Sequence, residues 1–231
     1  MKSVNLISGG LDSFLCWFLF CKDAINVYVD IGHNYNTKEQ SAVKQLEKTI
    51  PNFNVKYHIG SDIGKFEDET SGIIPNRNAE LILSAAQYGE VIYFGVIKDE
   101  INSDKSLDFV RGMETVLNIS NKKQYWTEGK VFNIKTPTRE YNKSELIKMY
   151  IDTGASLDYL YLTISCYDGD NGHCGRCPSC FKRYVAFKNN GLIFETSNNP
   201  IEWARETGII EKCYDGTYNK SRANEIKEAL I

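Results

Sequence analysis

Positive charge is not in excess in this chain. Its 27 lysines and arginines stand against 30 aspartates and glutamates, giving a net charge of −3 and a pI of about 5.7. A surface without a basic field does not hold a phosphate backbone non-specifically, so nucleic acid is not the expected partner. Long apolar runs are missing too. The longest, Phe14 to Cys21, is far shorter than the ~20 residues of a membrane span. The start, MKSVNLISGG, has an apolar part too short and interrupted for a signal peptide. No membrane is expected, and the expected location is cytoplasmic. No repeat and no low-complexity linker interrupts the chain. The phosphate motifs GxxxxGK[ST] and GxGxxG are both absent, so no loop lysine is provided for a γ-phosphate.

What is present supports a folded enzyme-sized chain. The 231 residues are 42% hydrophobic, enough for a substantial core, and 14 Tyr with 11 Phe argue against disorder. Apolar runs at 3–7, 25–32, 53–60, 90–96 and 130–137 read as strands. Helical spacing fills the intervals, over 12–21, 35–50, 77–88, 106–119 and 144–152. The second helix is marked by Ala42, Val43, Leu46 and Ile50, and Pro51 stops it. Five alternations of strand and helix predict an α/β fold: a doubly wound, parallel, five-stranded sheet. Alternation stops near residue 155. The expected organisation is an α/β domain over 1–155 and a helical C-terminal region over 156–231, with helices near 200–207 and 219–230.

The first strand runs into Ser8-Gly9-Gly10-Leu11-Asp12-Ser13. Doubly wound sheets bind ligands at the carboxyl ends of their strands, where this loop lies. Glycines let backbone amides approach a phosphate, and the following helix adds unpaired N–H groups and a positive dipole end. Ser8 and Ser13 add hydroxyls. Asp12 repels phosphate unless a divalent cation or the helix start offsets it. For a lone Gly-Gly, an ordinary turn with Asp12 as N-cap is the competing reading.

Seven cysteines need an account. Cys166, Cys174, Cys177 and Cys180 fall within SCYDGDNGHCGRCPSC, spaced C-x7-C-x2-C-x2-C. Four thiolates at this density suit one tetrahedral zinc ion, with Gly175 letting the backbone wrap. An iron–sulfur cluster is the rival occupant. His173 is a possible substitute ligand and reads better as a neighbour. Cys16 and Cys21 sit among apolar residues and read as core thiols.

The string SGGxDS between first strand and first helix resembles the pyrophosphate-binding loop of the PP-loop ATP pyrophosphatases. Those enzymes adenylylate a carbonyl or carboxyl oxygen, release pyrophosphate, then displace AMP with a nucleophile. With the cysteine segment near the C-terminus, the chain resembles the 7-cyano-7-deazaguanine synthase family over about residues 3–188. Supporting strings are SCYDG, CGRCPSC, IPNRN at 74–78, where Asn76 replaces a family glycine, and TPTREYNKSE at 136–145. The resemblance implies an adenine nucleotide alpha hydrolase-like fold with a zinc-binding appendage. It also implies ATP, Mg2+ and Zn2+ as cofactors, a homodimer, and a 7-deazapurine acid with ammonia as substrates. The acid is activated with ATP and takes up ammonia; the amide is activated again and dehydrated to the nitrile.

By the same resemblance, Ser8, Gly9, Gly10, Leu11, Asp12 and Ser13 hold ATP phosphates, and Asp12 helps place Mg2+. Arg77 is a candidate for phosphate or substrate carboxylate, and Lys143 for phosphate; each also reads as a surface residue at a helix start. Glu145 either pairs with Lys143 or belongs to the helix's first turn. Two segments depart from the family pattern where the substrate base is expected. GHNYNTKEQ, around Asn36, lacks the family's His/Arg pair. IKDEINSDKSLDF is shorter than its family counterpart, with Asp99 and Asp104 as possible remnants. An enzyme that stops at the amide or uses another acceptor therefore stays open. So does another PP-loop enzyme, such as a tRNA sulfurtransferase or an amidating ligase, or a non-enzymatic nucleotide- or zinc-binding module.

Overall fold

Short apolar runs form five parallel strands in a computed structural model that describes residues 1–68, 72–98, 103–166 and 172–231. In chain order they are β1 (Ser3–Leu6), β2 (Ile25–Asp30), β3 (Val55–Ile59), β4 (Val91–Tyr93) and β5 (Asn133–Lys135). Side by side the order is β3-β2-β1-β4-β5, with every neighbouring pair parallel. The chain thus winds outward from β1 in one direction and then, through β4, in the other. The doubly wound sheet expected from the alternation is what forms.

Helices cover both faces. On one lie α1 (Leu11–Phe20), α2 (Asn36–Thr49) and α5 (Lys143–Asp152). Their Leu11, Phe14, Leu15, Val43, Leu46 and Ile147 share a core with Tyr28 of β2. The other face carries α3 (Arg77–Ala85) and α4 (Leu107–Ser120), whose Ile82, Val110, Met113 and Leu117 pack on Val4, Val27 and Ile92. A parallel strand covered on both faces needs apolar residues at nearly every position, which is why β1 and β2 are legible as continuous runs. One polar pair breaks the rule. Asn5 and Asn26 are register partners, fully buried, and Asn5 Nδ2 donates to Asn26 Oδ1 at 2.9 Å and to Ser13 O at 3.3 Å. That second bond ties the first turn of α1 to the central strand.

The remaining helices are α6 (Asp158–Tyr161), α7 (Pro178–Lys188), α8 (Pro200–Glu206) and α9 (Lys220–Ala229). Phe181 and Val185 of α7 meet Ala204, Ala223 and Ile226 in a third core. The opposite side of α7 sends Ala186 and Phe187 into the α1/α5 core. Among the described residues, no helix is long and apolar enough to cross a membrane.

All five strands are shorter than their apolar runs, β4 and β5 most of all. The run at 130–137 narrows to Asn133–Lys135 because β5 is an edge. Side chains of α4 take N–H groups there: Phe132 N donates to Asn118 Oδ1 at 2.7 Å and Ile134 N to Glu114 Oε2 at 2.9 Å. An edge satisfied by helix side chains is closed to further strands. β4 stops at Tyr93, and the chain then passes close over α1 at Gly95. A Cβ there would lie 3.2 Å from Asp12 O.

Candidate functional site

The reversal of winding between β1 and β4 leaves a crevice at their carboxyl ends, where open α/β sheets take ligands. Ser8, Gly9 and Gly10 form the turn from β1 into α1 at that point. Gly9 has φ +74°, and a Cβ on it would sit 2.8 Å from the Glu39 carbonyl oxygen of α2. Both conformation and space therefore require glycine. The two loop hydroxyls organise the turn: Ser8 N donates to Ser13 Oγ at 3.2 Å, Gly10 N to Ser8 Oγ at 3.3 Å, and Ser13 Oγ to Gly10 O at 3.0 Å. No side chain caps α1, whose N-cap is Gly10. Asp12 is thus a first-turn residue and not the cap.

The loop opens into a cavity of about 560 Å³. Ser8, Gly10, Leu11, Asp12 and Ser13 line one wall, and Arg77, Lys105, Lys143 and Lys182 bring four cations to the same space. Lys143 Nζ lies 2.6 Å from Asp12 Oδ1, with the lysine side chain 10% and the aspartate 25% exposed. The lysine is placed by the start of α5. There Asn142 and Glu145 make a reciprocal capping box: Glu145 N donates to Asn142 Oδ1 at 2.8 Å and Asn142 N to Glu145 Oε2 at 2.7 Å. Glu145 is therefore a helix-start residue.

Arg77 lies half-buried at the start of α3. Its Nη2 is 3.8 Å from Glu39 Oε1, and its guanidinium is 5.7 Å from the centre of the Tyr35 ring. Glu39 Oε2 in turn is 3.1 Å from His33 Nε2. His33 is buried in the cavity wall, and no described residue bonds its Nδ1. His33 and Glu39 were not among the residues singled out from sequence. Their placement depends on the chain turning from β2 into α2, which no local spacing announces.

The four cysteine sulfurs converge. Sγ atoms of Cys166, Cys174, Cys177 and Cys180 all lie within 4.8 Å of one another, with Cys174 and Cys180 at 3.9 Å. A Zn–S bond of about 2.3 Å gives a tetrahedron with edges of about 3.8 Å, so the donor set fits one ion of that kind. Gly175, at φ +74°, lies where a Cβ would come within 2.0 Å of Asn198 O. Asn198 Nδ2 also donates to Cys174 O at 2.8 Å, so the tail clamps the cysteine loop. Cys177 is the N-cap of α7, accepting from Cys180 N at 3.4 Å, with Pro178 next. Thiol donors from Cys177 and Cys180 hold Cys166 well below the usual thiol range. His173 is outside this set. Its ring packs 4.7 Å from Phe194, and burial, with the Arg183 charge nearby, pushes it down to about 4.

Arg183, one turn beyond Cys180, is fully buried. It donates to Thr163 Oγ1 at 2.8 Å, Ser165 Oγ at 3.2 Å and Leu160 O at 2.7 Å. Burial pushes it down to about 10, which leaves it cationic beside the thiols. Its hydrogen bonds fix the segment whose Ile164 N donates to Gly9 O at 2.9 Å. Cysteine centre and glycine loop are thereby joined through one short strap.

The family model described as "Queuosine biosynthesis protein QueC" matches residues 58–191, more than half of the chain. The chain belongs to the QueC family. Curated relatives include the 7-cyano-7-deazaguanine synthase of Acetivibrio thermocellus, 26% identical over 83% of this chain and 95% of that one. Those of Cellvibrio japonicus (29%, 84% and 96%) and Methanococcus aeolicus (28%, 83% and 97%) are similar to the same extent. A solved structure, the U34-tRNA thiolase NcsA of Methanococcus maripaludis with its [4Fe-4S] cluster, covers 86% of this chain and 83% of its own. Its TM-score is 0.41 and its sequence identity 17%.

Positions that the resemblance marked as departures have physical roles. Asn76, where the resemblance expects glycine, has φ +61°. Asparagine is among the few residues that tolerate that left-handed conformation. Asn36 is not in the cavity wall; it joins β2 to α2, receiving the Tyr28 hydroxyl on Oδ1 and donating to Asp30 Oδ1 at 2.8 Å. Asp104 offers its carbonyl to Asn78 Nδ2 at 3.5 Å, and the wall at that segment comes from Lys105. Asp99 lies outside the described residues, as does 167–171 of the cysteine segment.

Proposed function

We propose that this QueC-family chain is an ATP-dependent ligase that converts 7-carboxy-7-deazaguanine and ammonia into 7-cyano-7-deazaguanine. The observation that carries the reading is the glycine-serine loop opening, at the reversal of the sheet, into a cavity that also receives Asp12, Lys143 and Arg77. The names of the curated relatives supply the product.

In this reading the backbone of Ser8, Gly9, Gly10, Leu11 and Ser13 receives ATP phosphates, as helix-start loops do. A substrate carboxylate oxygen attacks the α-phosphorus, the bond to pyrophosphate breaks, and an acyl adenylate forms. Ammonia adds to the acyl carbon, AMP leaves and a proton is lost, giving the amide. The amide oxygen then attacks a second ATP; loss of pyrophosphate, AMP and two protons yields the nitrile. Lys143 and Arg77 supply fixed positive charge where pyrophosphate departs, which costs no reorganisation at the moment of reaction. Asp12, beside the loop, is the carboxylate suited to a hard divalent cation such as Mg2+. Ile164 of the strap lines the cavity, where limiting water matters because water competes with ammonia for the adenylate.

Cys166, Cys174, Cys177 and Cys180 hold a single zinc ion. A closed four-thiolate site leaves no position for substrate, so the ion's contribution is to fold. Each cysteine of a four-iron cluster binds a separate iron and stands apart from the others, whereas these sulfurs converge on a point. The chain is read as a nucleotide-binding part over 1–155 with the metal-bearing part over 156–231, working as a homodimer on small molecules.

The test is incubation of the purified protein with ATP, Mg2+, ammonium and 7-carboxy-7-deazaguanine, followed by mass and nucleotide analysis. Nitrile with AMP is the expected result. Amide alone would move the proposal to an enzyme that stops halfway, and no ATP turnover would overturn it.

A further inference from the structure

Ser144 directly follows Lys143 in the first turn of α5, and three side chains from the C-terminal region converge on it. Glu225, in α9, accepts on Oε1 from Ser144 N at 3.0 Å and from Ser144 Oγ at 2.6 Å. Asn189 Nδ2 donates to Ser144 Oγ at 3.3 Å and to Glu225 O at 2.9 Å. Asn190 Nδ2 donates to Ser144 O at 3.0 Å. Lys143 and Glu225 also line the same small apolar gap between α5, α7 and α9, with Phe181 and Val185.

The helix does not need this much to begin. Asn142 and Glu145 already form its capping box. Glu225 adds a carboxylate, 81 residues away in sequence, to a helix-start N–H that has no intrahelical partner. A charged acceptor on such a donor is stronger than a neutral one and suits the dipole. The bond fixes the turn that carries Lys143, and the lysine ammonium reaches Asp12 from that turn at 2.6 Å. Anchorage of α9 alone does not account for the placement: the apolar contacts of Ala223, Ile226 and Ala229 already hold that helix to α7. The contact falls instead beside the cavity's buried lysine. Glu225 also lies beyond residues 58–191, which the family model matches.

We propose that Glu225, acting through Ser144, is a positioning residue for Lys143, which makes the C-terminal helix part of the ATP site's apparatus. This rests on the reading that Lys143 serves ATP. The test is a double-mutant cycle on the full, metal-loaded chain with Glu225→Ala, Lys143→Ala and both together. MgATP affinity is read by titration, and turnover by AMP release with 7-carboxy-7-deazaguanine and ammonium. Glu225→Ala is expected to weaken MgATP binding and turnover about tenfold, and to add less than about twofold once Lys143 is already alanine. Glu225→Gln, which keeps an acceptor oxygen, restores the value to within about threefold. Should Glu225→Ala not fold, Ser144→Ala breaks the hydroxyl bond from the other side, and the same loss confined to the Lys143-containing background is expected. Independent losses that multiply in the double variant would overturn the proposal. So would a lowered melting temperature with MgATP binding unchanged. ATP bound without turnover of the deazaguanine would sink the ligase reading alone, and the binding cycle would still decide the positioning. Absence of ATP binding by the unaltered protein would sink both.

Discussion

Replacing Lys143 by methionine removes a charge and keeps most of the side-chain volume. The ammonium sits 2.6 Å from Asp12 Oδ1. At an effective dielectric of about 20, the attraction at that separation is about 6 kcal/mol. Desolvation of both ions offsets most of it, and the quarter-exposed Asp12 can regain water when its partner is lost. The expected stability loss is about 1–2 kcal/mol, a fall in Tm of about 2–8 °C for a chain of this size. Turnover should fall much further, by about 10²–10³-fold, because a cation aimed at a developing anion is worth about 3–4 kcal/mol in the transition state. Asp12→Asn should cost more stability than Lys143→Met, since it leaves the less exposed partner, the ammonium, without its counter-charge. Combining the two should recover stability and no activity. Thermal melts and AMP release measure the two quantities on the same samples. Retention of activity within about threefold in Lys143→Met, or a double variant less stable than either single one, would refute the reasoning.

Gly9→Ala meets both a left-handed backbone and the Glu39 carbonyl at 2.8 Å, so MgATP affinity should fall at least about tenfold, with about 1–3 kcal/mol lost in a melt. Asn76→Gly should lie within about 0.5 kcal/mol of the parent, whereas Asn76→Val at the same φ of +61° should cost about 1–2 kcal/mol by denaturant titration. Cys180→Ser, at the buried centre of the thiol cluster, should drop bound zinc from about one per chain to well below half by metal analysis, and chelator should destabilise the parent but not the variant.

Much of the α/β half was legible because its signals are local. Covered parallel strands must be apolar throughout, and α2 carries Ala42, Val43 and Leu46 on one buried face. The glycine loop was legible for a similar reason: its position follows from strand, turn and helix in sequence. Strand ends were not, because α4 side chains and the approach at Gly95, both tertiary, decide where β5 and β4 stop. The helix α7 was hidden under its cysteines. Pro178 at its first turn is a helix-start signal, masked by reading the segment only as ligands. Arg183, His33 and Glu39 could not be found by spacing, since each becomes notable only through burial beside groups distant in the chain. Asn36 was legible only as the middle of an altered loop, because its bonds to Tyr28 and Asp30 join groups that meet through the fold.

The central claim is that the loop at Ser8–Ser13 and the Lys143 cation carry out ATP-driven amidation and dehydration of one deazapurine acid. The most direct measurement is product analysis with 18O-labelled 7-carboxy-7-deazaguanine, ATP, Mg2+ and ammonium. The account predicts 7-cyano-7-deazaguanine free of label, with 18O recovered in AMP from both activation steps. Nucleotide consumed to AMP without any label transfer, or no nucleotide consumed at all, would contradict it.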